Sequence, residues 1–320
     1  MAGLPAALTA ALYDITAEMD STRLEKDAKN ISEAYRMRTG TGKRLLTRES
    51  EAAAYAAARM PATYEAARAA ILSALDASGL APRTLLDCGA GTGAATWAAD
   101  DLLTLERVTC LEREDAMRSV GSALMRAAIG ALERADWQAF DLTDGKPLPQ
   151  AEMVVEGYML GELAEEMRLP VARKLWDACT QMLVLIEPGT PQGFANLAAV
   201  RRELAGLGAH VAAPCPAGNG NCPMTGEDWC HFAVRVQRTK LHKALKGGDA
   251  PYEDEKFCYL ALTREKPASA CGARVLRHPL IAPGKITLTL CEGNEKKTRI
   301  VTKKDLLWKQ ARKTGAGDAL

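Results

Sequence analysis

An α/β fold, with a parallel sheet between a helical region and a cysteine-rich one, is predicted by three observations. Short apolar runs alternate with helical stretches between Arg83 and Pro214, the pattern of repeated βα units. A glycine-rich turn, LLDCGAGTGAAT (85–96), stands at the first strand-to-helix junction. Cys215, Cys222 and Cys230 crowd a Gly/Pro/Asn-rich stretch, and Cys291 follows after 60 intervening residues. These features divide the chain into a helical region (1–80), a cofactor-binding α/β domain (81–210) and a cysteine-rich, basic region (211–320).

Residues 1–80 read as helical because EAAAYAAARMPATYEAARAAILSALDASG is rich in strong helix formers. Pro61 is expected to open a new helix, since a first-turn proline forfeits no hydrogen bond. Gly79 is expected to end that helix before Pro82 and the first strand. The expected strands are 84–89, 107–112, 135–140, 151–157 and 181–188, with helices over 94–103, 115–132 and 163–179 between them. Near Pro214 the alternation stops and the cysteine loop begins. Beyond it, HFAVRVQRTKLHKALKG and YEDEKFCYLALTRE precede a Pro/Ala/Gly-rich gap at 267–273. Residues 273–303 alternate like antiparallel strands, and the last ten read as a frayed tail.

Composition narrows the class. The chain has 320 residues, 48% hydrophobic and 25% charged, enough for a large buried core. No apolar run approaches the roughly 18 residues that cross a bilayer, so no membrane partner is expected. The N-terminus has neither a signal peptide nor an Arg-rich transit pattern, and a cytoplasmic, monomeric protein is the expectation. Nine cysteines, an odd number, argue against a disulfide framework. Net charge is +1, yet from His231 onward 19 Lys/Arg stand against 9 Asp/Glu. That asymmetry points to a polyanionic partner, with a solvated basic tail as the plain alternative.

The glycine turn is the first candidate site. Asp87, Gly89, Gly91 and Gly93 spell D-x-G-x-G-x-G where the backbone needs unusual angles and a ligand must come close. Glu112, at the end of the next strand, can accept two ribose hydroxyls. The spacing also fits a dinucleotide fingerprint. Asp87, two residues before the first glycine, and Asp141, after the third strand, tilt the choice toward S-adenosylmethionine. Carboxylates near the turn would repel a pyrophosphate. A nicotinamide or flavin cofactor, and a purely structural turn, remain the alternatives. The catalytic step is not legible. The loop GYMLGEL after the fourth strand lacks an Asn/Asp-Pro-Pro-aromatic signature, and methyl transfer asks mainly for alignment.

The cysteine spacing C-x6-C-x7-C, then Cys291, lacks the paired C-x2-4-C of common zinc modules. It suits a cubane iron–sulfur cluster better, with zinc as the alternative. Cys258 and Cys271 are the rival fourth ligands. Cys88, Cys110 and Cys179 read as small buried hydrophobes. Arg235, Arg238, Lys240 and Lys243 follow the loop within nine residues. On a helix they would suit phosphate contacts, and Glu253, Asp254 and Glu255 could pair with them instead.

Several runs together resemble a known family. AYAAARMPATYEA (54–66), LLDCGAGTGAAT (85–96), GYMLGEL (157–163), LVLIEPGTPQGF (183–194), CPAGNGNCPM with WCHFAVRVQRTKLHK (215–243) and YEDEKFCYL (252–260) are similar to the methyltransferase-like small-subunit ribosome assembly factors. That family is known as a mitochondrial ribosomal small-subunit protein family and has bacterial members. The resemblance implies a Rossmann-like class I methyltransferase sheet and S-adenosylmethionine binding. It further implies a [4Fe–4S] site on Cys215, Cys222, Cys230 and Cys291, and association with the small subunit and its ribosomal RNA during assembly. Whether the fold methylates RNA or serves as a scaffold stays open, as does a small-molecule methyltransferase with structural zinc.

Overall fold

The computed structural model describes residues 3–17, 19–20, 22–27, 30, 48–224, 228–246, 250–269 and 271–320. The helical expectation over 31–47 lies outside the described residues. The first helices are α1 (Ala6–Ala17) and α2 (Glu49–Ser78). Then come β1 (Thr84–Cys88), α3 (Ala94–Asp100), β2 (Arg107–Glu112), α4 (Asp115–Met125) and β3 (Asp136–Ala139). β4 (Ala151–Gly157), α5 (Glu165–Ala178), β5 (Cys179–Pro188), α6 (Pro191–Gly206) and β6 (His210–Ala213) continue the alternation. β7 (Phe232–Gln237), α7 (Lys240–Lys246) and β8 (Tyr252–Thr263) follow the cysteine loop.

The main sheet runs β3-β2-β1-β4-β5-β8-β6. β1 to β5 are mutually parallel, whereas β8 lies antiparallel to both β5 and β6. One antiparallel strand between the fifth and sixth positions of a parallel sheet is the Rossmann-like methyltransferase arrangement. β7 joins the other half of β8: residues 261–263 of β8 pair with β6, and 252–257 with β7. The boundary expected at residue 210 therefore falls inside this sheet. Strands from the basic region complete it.

Both faces of the sheet are covered, as parallel strands require. Leu85, Val108, Met153, Val155, Val184 and Ile186 share one apolar layer with α1 to α4. Leu86, Leu111, Val154, Leu183 and Leu185 share the other with α5 and α6. A second sheet, β9 (Ala273–Val275), β10 (Leu280–Ala282), β11 (Lys285–Glu292) and β12 (Glu295–Thr302), is antiparallel throughout. It carries its own small core, backed by α8 (Trp308–Ala311).

Two expectations need correction. Pro61 does not open a helix; it lies inside the 30-residue α2. A proline there forfeits one backbone bond and costs about 3 kcal/mol in an isolated helix. Burial offsets that cost: alanines on most sides of α2 let it pack closely against α3, α4, β7 and β8. The helix expected over 115–132 stops at Met125, and Gly130 takes a positive φ of 76° in the turns that follow. Gly79 does end α2, in the left-handed region at φ 70°, donating to Leu75 O at 2.8 Å.

α2 is tied to the sheet by charge as well as by packing. Arg59 donates twice to Glu255 of β8, at 2.9 and 3.4 Å, and Tyr158 Oη donates to the same carboxylate at 3.5 Å. Arg59 and Glu255 side chains are 27% and 15% exposed. We expect Arg59→Ala to cost about 1.5–3 kcal/mol, the scale of charged hydrogen bonds left half-made. Breaking the exposed Arg173–Glu203 pair by Arg173→Ala should cost no more than about 1 kcal/mol. Urea denaturation of the two variants side by side measures the difference; equal losses would contradict it.

Candidate functional site

The site is built where the parallel strands end. β1 runs into the glycine turn, and Gly89, Gly91 and Gly93 all hold positive φ, at 72°, 55° and 88°. A Cβ on Gly93 would run into Met125, and one on Gly89 would meet Met159 Cγ at 3.0 Å. Above Gly91 nothing lies within 4 Å, so the main chain is closed at the flanks and open at its middle. Glu112, at the end of β2, accepts from Gly91 N at 2.8 Å and from Glu114 N at 2.9 Å. One carboxylate thus fixes both loops that face the opening.

Asp87 is 1% exposed and accepts from Thr96 Oγ1 at 2.5 Å, on the first turns of α3. Burial lifts its carboxyl to about 7; the Thr96 hydrogen bonds oppose the rise and the charge of Glu112 adds to it. Asp141 lies just past β3, and Phe140 N donates to Glu112 O at 3.3 Å, which seats it beside that acid. Asp141 accepts from Thr143 N and Oγ1, at 2.9 and 2.6 Å. The expected cofactor residues therefore gather around the ends of β1, β2 and β3.

Sequence reasoning passed over three further acids. Glu156, fully buried at the end of β4, accepts from Met159 N at 2.6 Å and Leu160 N at 3.1 Å, while its Oε2 has no partner. Glu187, fully buried near the end of β5, accepts from Gly161 N and Asn196 Nδ2, each at 3.2 Å. Burial and the neighbouring Glu187 hold Glu156 well above the ordinary carboxylate range, and burial lifts Glu187 to about 7. Glu162 sits between them and Glu112; burial, then the charge of Glu112, lifts it to about 8. The loop carrying it begins with Tyr158 at φ 65°, the one non-glycine positive φ among the described residues. The signal was in the strands themselves, since LLD, TCLE, MVVE and VLIE each end an apolar run in an acid.

A cleft of about 360 Å3 lies elsewhere, among Leu85, Arg107, Asp136, Gln138 and Gln150. It opens toward the amino ends of β2 to β4 and holds none of the candidate residues.

The cysteine loop leaves the main sheet between β6 and β7. Cys222, Cys230 and Cys291 pack with Met224, Leu276 and Phe194, and Cys215 with Trp229 in the adjoining layer. Burial pushes Cys215 and Cys291 thiols up to about 11, and the other cysteines nearby add to both shifts. Three of the four expected thiols, Cys222, Cys230 and Cys291, therefore share one small apolar nest, and Cys215 lies in the adjoining layer within the field of Cys222. Two guanidiniums line it: Arg274 donates to Pro214 O at 3.0 Å, and Arg201 to Gly218 O at 2.6 Å. Among the described residues, no three His, Cys, Asp or Glu side chains stand close enough to hold a metal ion. Cys258 is core, its Sγ donating to Cys230 O at 3.0 Å, and Cys271 borders the nest near Pro214.

The basic residues after the loop do not share a helix. Arg235 lies on β7, Arg238 just after it, and Lys240 and Lys243 on α7. Arg235 donates to Asp254 at 3.0 Å and Arg238 to Glu253 at 2.8 Å. Pairing with the acidic run of β8 neutralises both in place. Among the described residues no helix is long and apolar enough to cross a membrane.

Comparisons with known proteins follow the same lines. Human mitochondrial ribosome assembly protein METTL17 is 28% identical over 225 residues, covering 66% of this chain and 48% of the human protein. The chain thus spans about half the length of that relative. Among solved structures, the S-adenosylmethionine-bound magnesium protoporphyrin IX methyltransferase of Synechocystis PCC 6803 is 14% identical. It covers 78% of this chain and 99% of its own, at a TM-score of 0.41. The plantazolicin methyltransferase is 11% identical, covers 77% and 98%, and has a TM-score of 0.44. The model of a family described as mitochondrial small ribosomal subunit Rsm22 matches residues 49–320. By that match, over most of its length, the chain belongs to the Rsm22 family of the mitochondrial small ribosomal subunit.

Proposed function

We propose that the chain holds S-adenosylmethionine at the glycine turn and works with, or on, small-subunit ribosomal RNA in ribosome assembly. The observation that carries this reading is the open main chain at Gly91, its N–H fixed by Glu112, in a chain of a ribosomal-subunit family. When bound, the cofactor supplies a cationic sulfonium bearing a transferable methyl group. The acids around the turn suit that charge: Asp87 and Glu162 both lie within the field of Glu112. Asp141, beside Glu112, is the residue for the adenine end.

A scaffold role is the second reading, and one observation favours it. Glu156 and Glu187, the acids nearest the loop after β4, spend oxygens on that loop's own backbone. They position the loop from within the core, and Glu156, kept protonated there by burial and by Glu187, offers no free carboxylate to take a proton from an acceptor. Mapping methyl groups on small-subunit ribosomal RNA from cells with and without the gene separates the readings. Loss of a methyl group establishes the enzyme; an unchanged map with defective subunits establishes the scaffold.

In this reading Cys215, Cys222, Cys230 and Cys291 hold a [4Fe–4S] cluster, with zinc as the alternative. Support comes from the apolar nest of Cys222, Cys230 and Cys291, from Cys215 within the field of Cys230, and from Arg201 and Arg274, whose charge offsets that of thiolates. A single tetrahedral zinc would draw the sulfurs to about 3.8 Å of one another, given Zn–S bonds near 2.3 Å. A cluster accepts wider spacing. Protein purified without air should contain iron and sulfide and absorb near 400 nm, and Cys222→Ser should remove most of both. Zinc without iron would replace the cluster, and neither metal would end the proposal.

Asp87 makes cofactor binding depend on pH. Its carboxyl titrates near 3.8 when unfolded and near 7 when folded. The folded state therefore takes up a proton between those values, and stability falls as pH rises through that window. A cation beside Asp87 favours the ionised form, so binding releases the proton. Calorimetry should find S-adenosylmethionine affinity rising several-fold from pH 6 to pH 8, bounded by about tenfold per unit for each proton released. Asp87→Asn should flatten part of the rise and leave what Glu187 and Glu162 contribute. A wild-type affinity unchanged across that range would refute the role of Asp87.

A further inference from the structure

Asp254 and Glu253 already neutralise Arg235 and Arg238, the first two cations after the cysteine loop. A large share of the remaining excess lies on the β11–β12 hairpin and the residues after it. Between Lys285 and Lys313 there are nine Lys/Arg and three Asp/Glu. Those acids are themselves engaged. Lys297 holds Glu292 and Glu295 at 3.1 and 3.0 Å, and Asp305 accepts from Thr302 N and Oγ1 at 2.6 Å.

Register gathers the cations at one end of the sheet. Lys285 pairs with Thr302, so it stands beside the turn that carries Lys303 and Lys304, and Lys309 follows on α8. All four are exposed. The sheet has two distinct faces here. Ile286, Leu288, Leu290 and Val301 point into the small core against Leu307 and Trp308. The opposite face carries the row Leu280, Thr287 and Ile300, next to Ala282, Lys285 and Thr302. Leu280 is 71% exposed and Ile300 58%. An open strip of apolar and hydroxyl groups, bordered by lysines, matches what a nucleic-acid backbone presents: phosphates for the ammoniums and sugar surface for the strip.

We infer that RNA docks on this hairpin face through Lys285, Lys303, Lys304 and Lys309, and that Arg235 and Arg238 serve mainly to brace β7 against β8. The inference rests on the ribosomal-RNA reading above. It also fits the mounting of the hairpin. Lys296 pairs with Asp228 of the cysteine loop, and Arg274 of β9 bonds Pro214, so the face is held against the main sheet on two sides.

The test is fluorescence anisotropy of the full chain with a labelled RNA stem-loop across a salt series. A quadruple variant, Lys285→Ala, Lys303→Ala, Lys304→Ala and Lys309→Ala, should keep its melting temperature, because all four side chains are exposed. Its affinity should fall about tenfold or more, and the salt slope should shrink by about 0.7–0.9 for each phosphate no longer neutralised. The pair Arg235→Gln and Arg238→Gln should bind within about twofold of wild type, since removing cations already neutralised by Asp254 and Glu253 releases few counterions. If the quadruple variant binds like wild type while the pair loses affinity, the docking face is wrong and the ribosomal-RNA reading stands. If wild type binds no RNA, both fall. If poly-glutamate competes as well as RNA does, the face is a site for an acidic protein and the inference is overturned.

Discussion

Four strand-end carboxyl groups carry the architecture of the candidate site. Asp87, Glu112, Glu156 and Glu187 close β1, β2, β4 and β5, and each accepts hydrogen bonds from the loop or helix facing the sheet's carboxyl edge. A parallel sheet leaves those loops without ladder partners, so their N–H groups need acceptors of another kind. Buried carboxyls supply two oxygens each from a rigid strand. The cost is electrostatic, because like charges are confined together away from water. Three of the four, Asp87, Glu156 and Glu187, consequently hold their protons more tightly than free carboxyls do. A site of this kind stores an affinity for cations: positive charge placed there recovers part of what burial took.

The second structural dependency is β8. This one strand pairs with β5 along one edge and with both β6 and β7 along the other. Between the partners β6 and β7 lie residues 214–224 and 228–231, outside any strand, which carry three of the four candidate thiols. Cys291 reaches the same nest from β11 of the second sheet. The position of the small sheet is therefore set by interactions at the rim of the large one. The same strand also anchors α2 through Arg59 and Glu255, so the helical region and the cysteine loop both refer to β8.

Much of this was legible in the chain. The strands at 107–112 and 151–157 fall where apolar runs and their flanking helix formers place them, because burial on two faces leaves little ambiguity. The glycine turn was legible because its backbone angles exclude other residues. Pro61 misled, since local preference says nothing of the packing that surrounds α2. Arg235 was legible in two ways, since a dense basic run looks the same whether its partners are phosphates or nearby acids, and the fold pairs it with Asp254. Glu156 and Glu187 went unread because an acid at the end of an apolar run resembles an ordinary exposed carboxylate. Only the folded strands reveal that these two are fully buried.

The two halves of the chain's charge are separated for a reason that unites these observations. A cleft that favours a cationic cofactor repels phosphate, so a polyanion cannot approach the glycine turn without help. Positive charge mixed into the cleft would defeat its acids, and the acidic run of β8 already takes up Arg235 and Arg238 on the intervening surface. Lys285, Lys303, Lys304 and Lys309 stand on a separate sheet and the residues after it, fixed to the first sheet through Lys296, Asp228 and Arg274. In the proposed reading the hairpin bears the attraction for a polyanion and the strand-end acids bear the attraction for a cation, with Lys296, Asp228 and Arg274 joining the two sheets that carry them.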